Sequence, residues 1–67
     1  MIEQSSYLRL LLRNAAGARN DMGLRLASQG RLDGAIDQFR EALQLRPGFK
    51  AAEDNLAAML AHRELTR

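Results

Sequence analysis

The stretch from Gly30 to Pro47, GRLDGAIDQFREALQLRP, decides how this chain folds. Leu32, Ala35, Ile36, Phe39, Ala42 and Leu43 recur three and four residues apart, which sets them on one stripe of an α-helix. Asp37, Gln38, Arg40, Glu41 and Gln44 fall on the other faces, so one side of the helix is made for burial. Its ends are punctuated. Gly30 can take the positive φ of a tight turn, Asp33 favours the helix start as a cap or by its charge, and Pro47 with Gly48 stops the run.

Outward toward the N-terminus, Met1 to Ser6 reads as a polar, frayed end, and Ser5 or Ser6 is placed to cap a helix carrying Tyr7, Leu8, Leu10, Leu11 and Leu12. Leu8, Leu12, Ala15, Arg19, Met22 and Leu26 are spaced four, three, four, three and four, which predicts one continuous helix over residues 6–29 with these side chains as its seam. The competing reading breaks the helix near Asn14 to Gly17, where Asn14 can cap a second helix and Gly17 lowers helix propensity. A continuous helix would overreach its own hairpin and offer Leu8, Leu11 and Leu12 to something else. Toward the C-terminus a third helix is expected from Phe49 or Lys50 to about residue 64, as judged from acids in its first turn. Glu53 and Asp54 are those acids, and Phe49, Ala52, Leu56, Met59 and Leu60 form its apolar stripe. No stretch alternates apolar and polar residues as a half-buried strand does, so the class is all-α.

Where two antiparallel helices cross closely, the side chains at the contact must be small. Gly23, Ala35 and Ala42 allow that approach, and Met22, Leu26, Ile36 and Phe39 are expected to fill the space around them. Gly23, Leu26, Gly30, Ala35, Ile36, Phe39, Ala42, Leu43 and Pro47 stand at intervals that resemble the tetratricopeptide (TPR) repeat, a 34-residue helix-turn-helix unit. The resemblance places an N-terminal helical extension at residues 1–15, one repeat at 16–49 and a C-terminal capping helix at 50–67, with Asn55, Leu56 and Ala57 at the start of the next unit's pattern. Arg19 and Leu26 stand where the family often has aromatics, and Ala57 where it prefers glycine.

The chain is 67 residues long, 46% hydrophobic, with a formal net charge of +2 and no cysteine. A core of this size rarely yields more than roughly 3 to 5 kcal/mol, and no disulfide can reinforce it. Without cysteine, and without a signal-like or membrane-length apolar run, the chain reads as a soluble protein of the reducing cytoplasm. Catalysis needs a nucleophile with its base, an acid–base pair or a metal set. One His, no Cys, no catalytic glycine loop and no carboxylates at ligand spacing read as no enzyme, no cofactor and no metal. His62, alone in a polar C-terminal turn, reads as a solvated side chain. Asp33, Asp37 and Glu41 recur every four residues, but hard cations prefer a wrapping loop, and with Arg40 beside them these acids read as a solvated stripe.

Binding is the remaining function. The TPR resemblance implies a concave groove lined by the first helix of each unit, which carries Asn20, Leu24, Ala27 and Ser28, with Asn55, Ala58 and His62 from the next. A side-chain amide donates and accepts at once, so Asn20 and Asn55 can hold the backbone of an extended peptide; for Asn55 a hydrogen bond within the repeat is the equal alternative. This groove lacks the lysines and arginines with which some family members clamp a carboxylate. Repeat arrays usually need about three units for stability. A chain with one and a half is therefore expected either to be part of a longer array or to self-associate through Leu8, Leu11 and Leu12, by exchange of the long first helix between protomers. A marginally stable monomer is the alternative. Charge suggests a second class of function. Residues 1–31 carry five Arg against two acids and residues 32–67 five basic against six acidic residues, and Arg9 and Arg13 share a helix face. A basic helix of this kind can track the phosphates of nucleic acid or an anionic membrane.

Overall fold

The computed structural model describes the backbone from Ile2 to Thr66 and the side chains from Ser6 to Thr66. Three helices make up the fold: α1 (Ile2–Ser28), α2 (Leu32–Leu45) and α3 (Lys50–Leu65). The chain is all-α, a helical hairpin followed by a third helix. α1 runs unbroken through Asn14 and Gly17. It begins at Ile2, so Ser5 and Ser6 lie inside the helix and do not cap it.

The turns follow from residues that leave little choice. α1 closes in a Schellman motif, in which Arg31 N–H donates to Leu26 C=O at 2.9 Å and Gly30 N–H to Ala27 C=O at 3.0 Å. That closure needs a left-handed residue, and Gly30 supplies it at φ 79°. α2 starts without a side-chain cap, since Arg31 occupies the capping position; Asp33 therefore contributes by its charge in the first turn and not as the cap. After α2 the chain reverses over Arg46 to Phe49, closed by Phe49 N–H to Arg46 C=O at 3.2 Å. Pro47 and Gly48 hold its central positions, with Gly48 at φ 81°, the residue pattern of a type II turn.

α2 is the centre of the packing. Ala35, Ile36, Phe39 and Ala42 are its buried residues, and Phe39 and Ile36 are the largest side chains removed from solvent. The ring of Phe39 lies against Gly23 of α1, where a methyl group would stand 2.7 Å from its Cδ1. Ala16, Ala42 and Ala52, one from each helix, form a buried cluster with Leu43, Leu45 and Phe49 packed against it. α2 packs on both neighbours, whereas α1 and α3 meet far less. α3 is the loosest element. Ala52 alone of its residues is buried, and Leu56, Met59 and Leu60 are half-buried.

The face that α1 presents to α2 differs from the predicted seam. Ala16, Asn20 and Gly23 are buried and Ala27 is half-buried, one residue round the helix from Ala15, Arg19, Met22 and Leu26. Leu26 is half-buried, but Met22 is 43% exposed and fills no core space. The reason is steric. With Phe39 fixed in α2, the axes approach closely only where α1 offers hydrogen, methyl or a short amide. Arg19, displaced to the flank, reaches Glu41 at 3.7 Å and donates to Gln38 Oε1 at 3.4 Å.

The length of α1 shapes the molecule. Its 27 residues extend for about 40 Å against about 21 Å for the 14 residues of α2. The radius of gyration, 13.3 Å, exceeds the value of about 11 Å expected for a compact chain of this size. Gly17 sits in α1 with open space at its missing Cβ. Gly17→Ala is therefore expected to stabilise the fold by about 0.5–1 kcal/mol through helix propensity alone. A lower urea midpoint for that variant would place a neighbour where the structure has none.

Candidate functional site

Three surfaces carry side chains free to meet a partner. The first lies between α1 and α3. Asn55 Nδ2 donates to Asn20 Oδ1 at 3.0 Å, and Asn20 is only 7% exposed. Of the two uses open to Asn55, the internal hydrogen bond is the one present. The pair closes the floor between the helices and leaves Asn20 little access to a guest. Around it, Leu24 is 46% exposed, Ala58 and His62 are exposed, and Ala27 is half-buried toward α2. Ser28 is exposed, with its hydroxyl donating to Arg25 C=O at 2.7 Å. Leu24, Ser28, Ala58 and His62 thus remain as surface, while Asn20, Asn55 and Ala27 serve the packing below.

The second surface is the projecting part of α1. Tyr7, Leu8, Leu10, Leu11 and Leu12 are between 42% and 63% exposed. Leu8, Leu12, Ala15 and Met22 keep the heptad spacing read from the sequence, and all four are exposed. The predicted seam exists as an apolar stripe that the described residues leave mostly uncovered, with only Leu12 edging the end of α2 and Leu26 packed beside Gly34. That grouping makes the stripe a candidate contact surface.

The third surface is a groove of about 510 Å³ lined by Arg9, Leu12, Arg13, Leu45, Arg46 and Pro47, where α1 passes the end of α2. The guanidinium of Arg46 sits 4.7 Å from the centroid of the Phe49 ring, which steadies it. Arg9 and Arg13 share a face by their spacing alone, whereas Arg46, more than thirty positions away, is brought in by the turn that follows α2.

The acidic stripe of α2 is used in ion pairs. Asp33 meets Arg63 of α3 at 3.2 Å and Glu41 meets Arg19 of α1. These pairs are solvent-exposed and each contributes at most about 1 kcal/mol. Among the described residues, no three His, Cys, Asp or Glu side chains gather as a metal-holding group, and no helix is long and apolar enough to cross a membrane. No family model matches the chain, and neither a curated protein nor a solved structure matches it significantly.

Proposed function

We propose that this chain is a helical protein-interaction module of TPR type, without catalytic activity, that pairs with a copy of itself and docks a segment of another protein. The observation that carries the reading is the leucine-rich stripe of α1 left uncovered beyond the hairpin. Burial of a leucine contributes about 1.5–3 kcal/mol, a large share of what a core this small can supply. A second α1 laid along Leu8, Leu11 and Leu12 supplies the missing cover in the manner of a short coiled coil. Because the stripe is free with α1 seated on its own α2, side-by-side pairing needs no exchange of α1 between protomers. The exposed residues Leu24, Ser28, Ala58 and His62 form the face for the partner segment, above the Asn20–Asn55 floor. The TPR assignment is supported by the close approach of Gly23 and Phe39 and by the small buried residues Ala35 and Ala42. The cysteine-free composition fits the cytoplasm.

Sedimentation over a range of concentrations tests the proposal. The expected result is reversible association, and Leu11→Asp is expected to weaken it by about tenfold to a hundredfold with helicity unchanged. A chain that stays monomeric at the highest concentration and unfolds cooperatively overturns self-association. Unchanged assembly of Leu11→Asp removes the leading leucines from the contact.

A further inference from the structure

The seam by which α1 enters the hairpin runs through Ala27, Gly23, Asn20 and Ala16, spaced four, three and four. Continued toward the N-terminus by three and four residues, it reaches Arg13 and Arg9. These positions point as the buried face does but lie where α2 has ended, and Leu45, Arg46 and Pro47 meet them across the groove. A face that is small and packed inside the hairpin thus becomes cationic at the hairpin's end.

The charges there are unpaired. Arg19, Lys50 and Arg63 each have a carboxylate partner, whereas Arg9, Arg13 and Arg46 have none among the described residues. Three cations lining one groove repel one another, and a guest with negative charge relieves that repulsion. All three are arginines, whose planar forks bind carboxylates through two hydrogen bonds at once. Leu12, Leu45 and Pro47 add an apolar wall between them.

We propose that this groove binds an acidic segment of a partner protein, with carboxylates on Arg9, Arg13 and Arg46 and apolar side chains on Leu45 and Pro47, Leu12 at its edge being left to the contact between copies. The site rests on the interaction-module reading and gives the docked partner a chemistry. A peptide suits it better than nucleic acid. No aromatic side chain lines the groove to stack a base, and the net charge of +2, with residues 32–67 at −1 (five basic, six acidic), gives little long-range attraction for a polyanion.

The test is fluorescence anisotropy of a labelled peptide with glutamates one helical turn apart and leucines between them, titrated with the full chain. Saturable binding is expected, weakened at least about tenfold by the double substitution Arg9→Gln with Arg13→Gln, and equally by glutamine in place of the peptide's glutamates. Both arginines are exposed, so circular dichroism of the variant is expected to match the parent. No binding of the peptide, or binding indifferent to both changes, overturns the groove. Tighter binding of a single-stranded oligonucleotide or of phosphatidylserine vesicles than of the peptide overturns the choice of occupant. Sedimentation of the parent chain separates the two readings: a chain that self-associates but takes no acidic peptide loses the groove and keeps the module, and one that does neither loses both.

Discussion

Phe39→Ala is expected to abolish the cooperative unfolding transition. Phe39 is fully buried at the crossing of α1 and α2, and truncating a buried phenylalanine to alanine costs about 3–5 kcal/mol. A domain of this size has roughly that much in total. The mirror experiment approaches the same contact from α1. Gly23→Ala adds a methyl group that overlaps Phe39 Cε1 and stands 2.7 and 2.8 Å from Cδ1 and Cζ. Overpacking of this kind costs about 1–3 kcal/mol, which outweighs the roughly 1 kcal/mol that alanine gains over glycine in a helix. The sign is opposite to that expected for Gly17→Ala, on the same helix, where nothing crowds the new methyl. Urea titrations followed by circular dichroism check all three. A Phe39→Ala chain with an unchanged midpoint would mean that the hairpin does not depend on this ring.

Asn55→Ala is expected to destabilise the chain by about 1–3 kcal/mol, because it strands the amide oxygen of Asn20 away from water without a donor. The pair differs from a surface hydrogen bond in its burial, with Asn20 only 7% exposed. Replacing both residues by alanine is expected to cost less than the sum of Asn20→Ala and Asn55→Ala made singly, since no buried amide is then left without its partner. The double-mutant cycle would then show a coupling energy between residues 20 and 55. Strictly additive losses would mean that the two amides act independently. Since α1 and α3 touch little elsewhere, loss of the pair is also expected to loosen α3 first, visible as faster amide exchange in α3 than in α2.

The stripe of α2 was legible in the sequence because apolar spacing and terminal punctuation agree there: Phe39 and Ile36 are buried, and Gly30 and Gly48 take positive φ. On α1 only Gly23 was legible as a contact, by its size; the rest of the buried face was not. The large apolar residues of α1 form the more conspicuous pattern, and period alone points them inward. The buried positions are occupied by Ala16, Asn20 and Gly23, which few hydrophobicity scales would select. What sequence offered was the four-three spacing itself, and it holds for both faces. Only the steric demand of the Phe39 ring decides between them.

The candidate surfaces divide in the same way. The surplus of arginine in the first half and the run Leu10, Leu11, Leu12 are visible in the sequence, as is the pairing of Arg9 with Arg13 on one helix face. The contribution of Arg46 is not, because no local rule links it to residues more than thirty positions earlier. Asn20 and Asn55 stand out as amides in the sequence, but whether an amide serves a guest or its own fold depends on what lies within 3 Å of it.

By itself, then, the amino-acid sequence determined three helices, their breaks and the burial of one side of α2, since these depend on residue spacing and backbone preferences within a turn or two. The tertiary structure alone decided which side of α1 is hidden, and with it that the leucine stripe faces outward, that two amides bond across the floor and that three arginines share a groove. Those outcomes depend on the distance between helix axes, and that distance is set by side chains far apart in the chain: a ring that needs room and a glycine that leaves it.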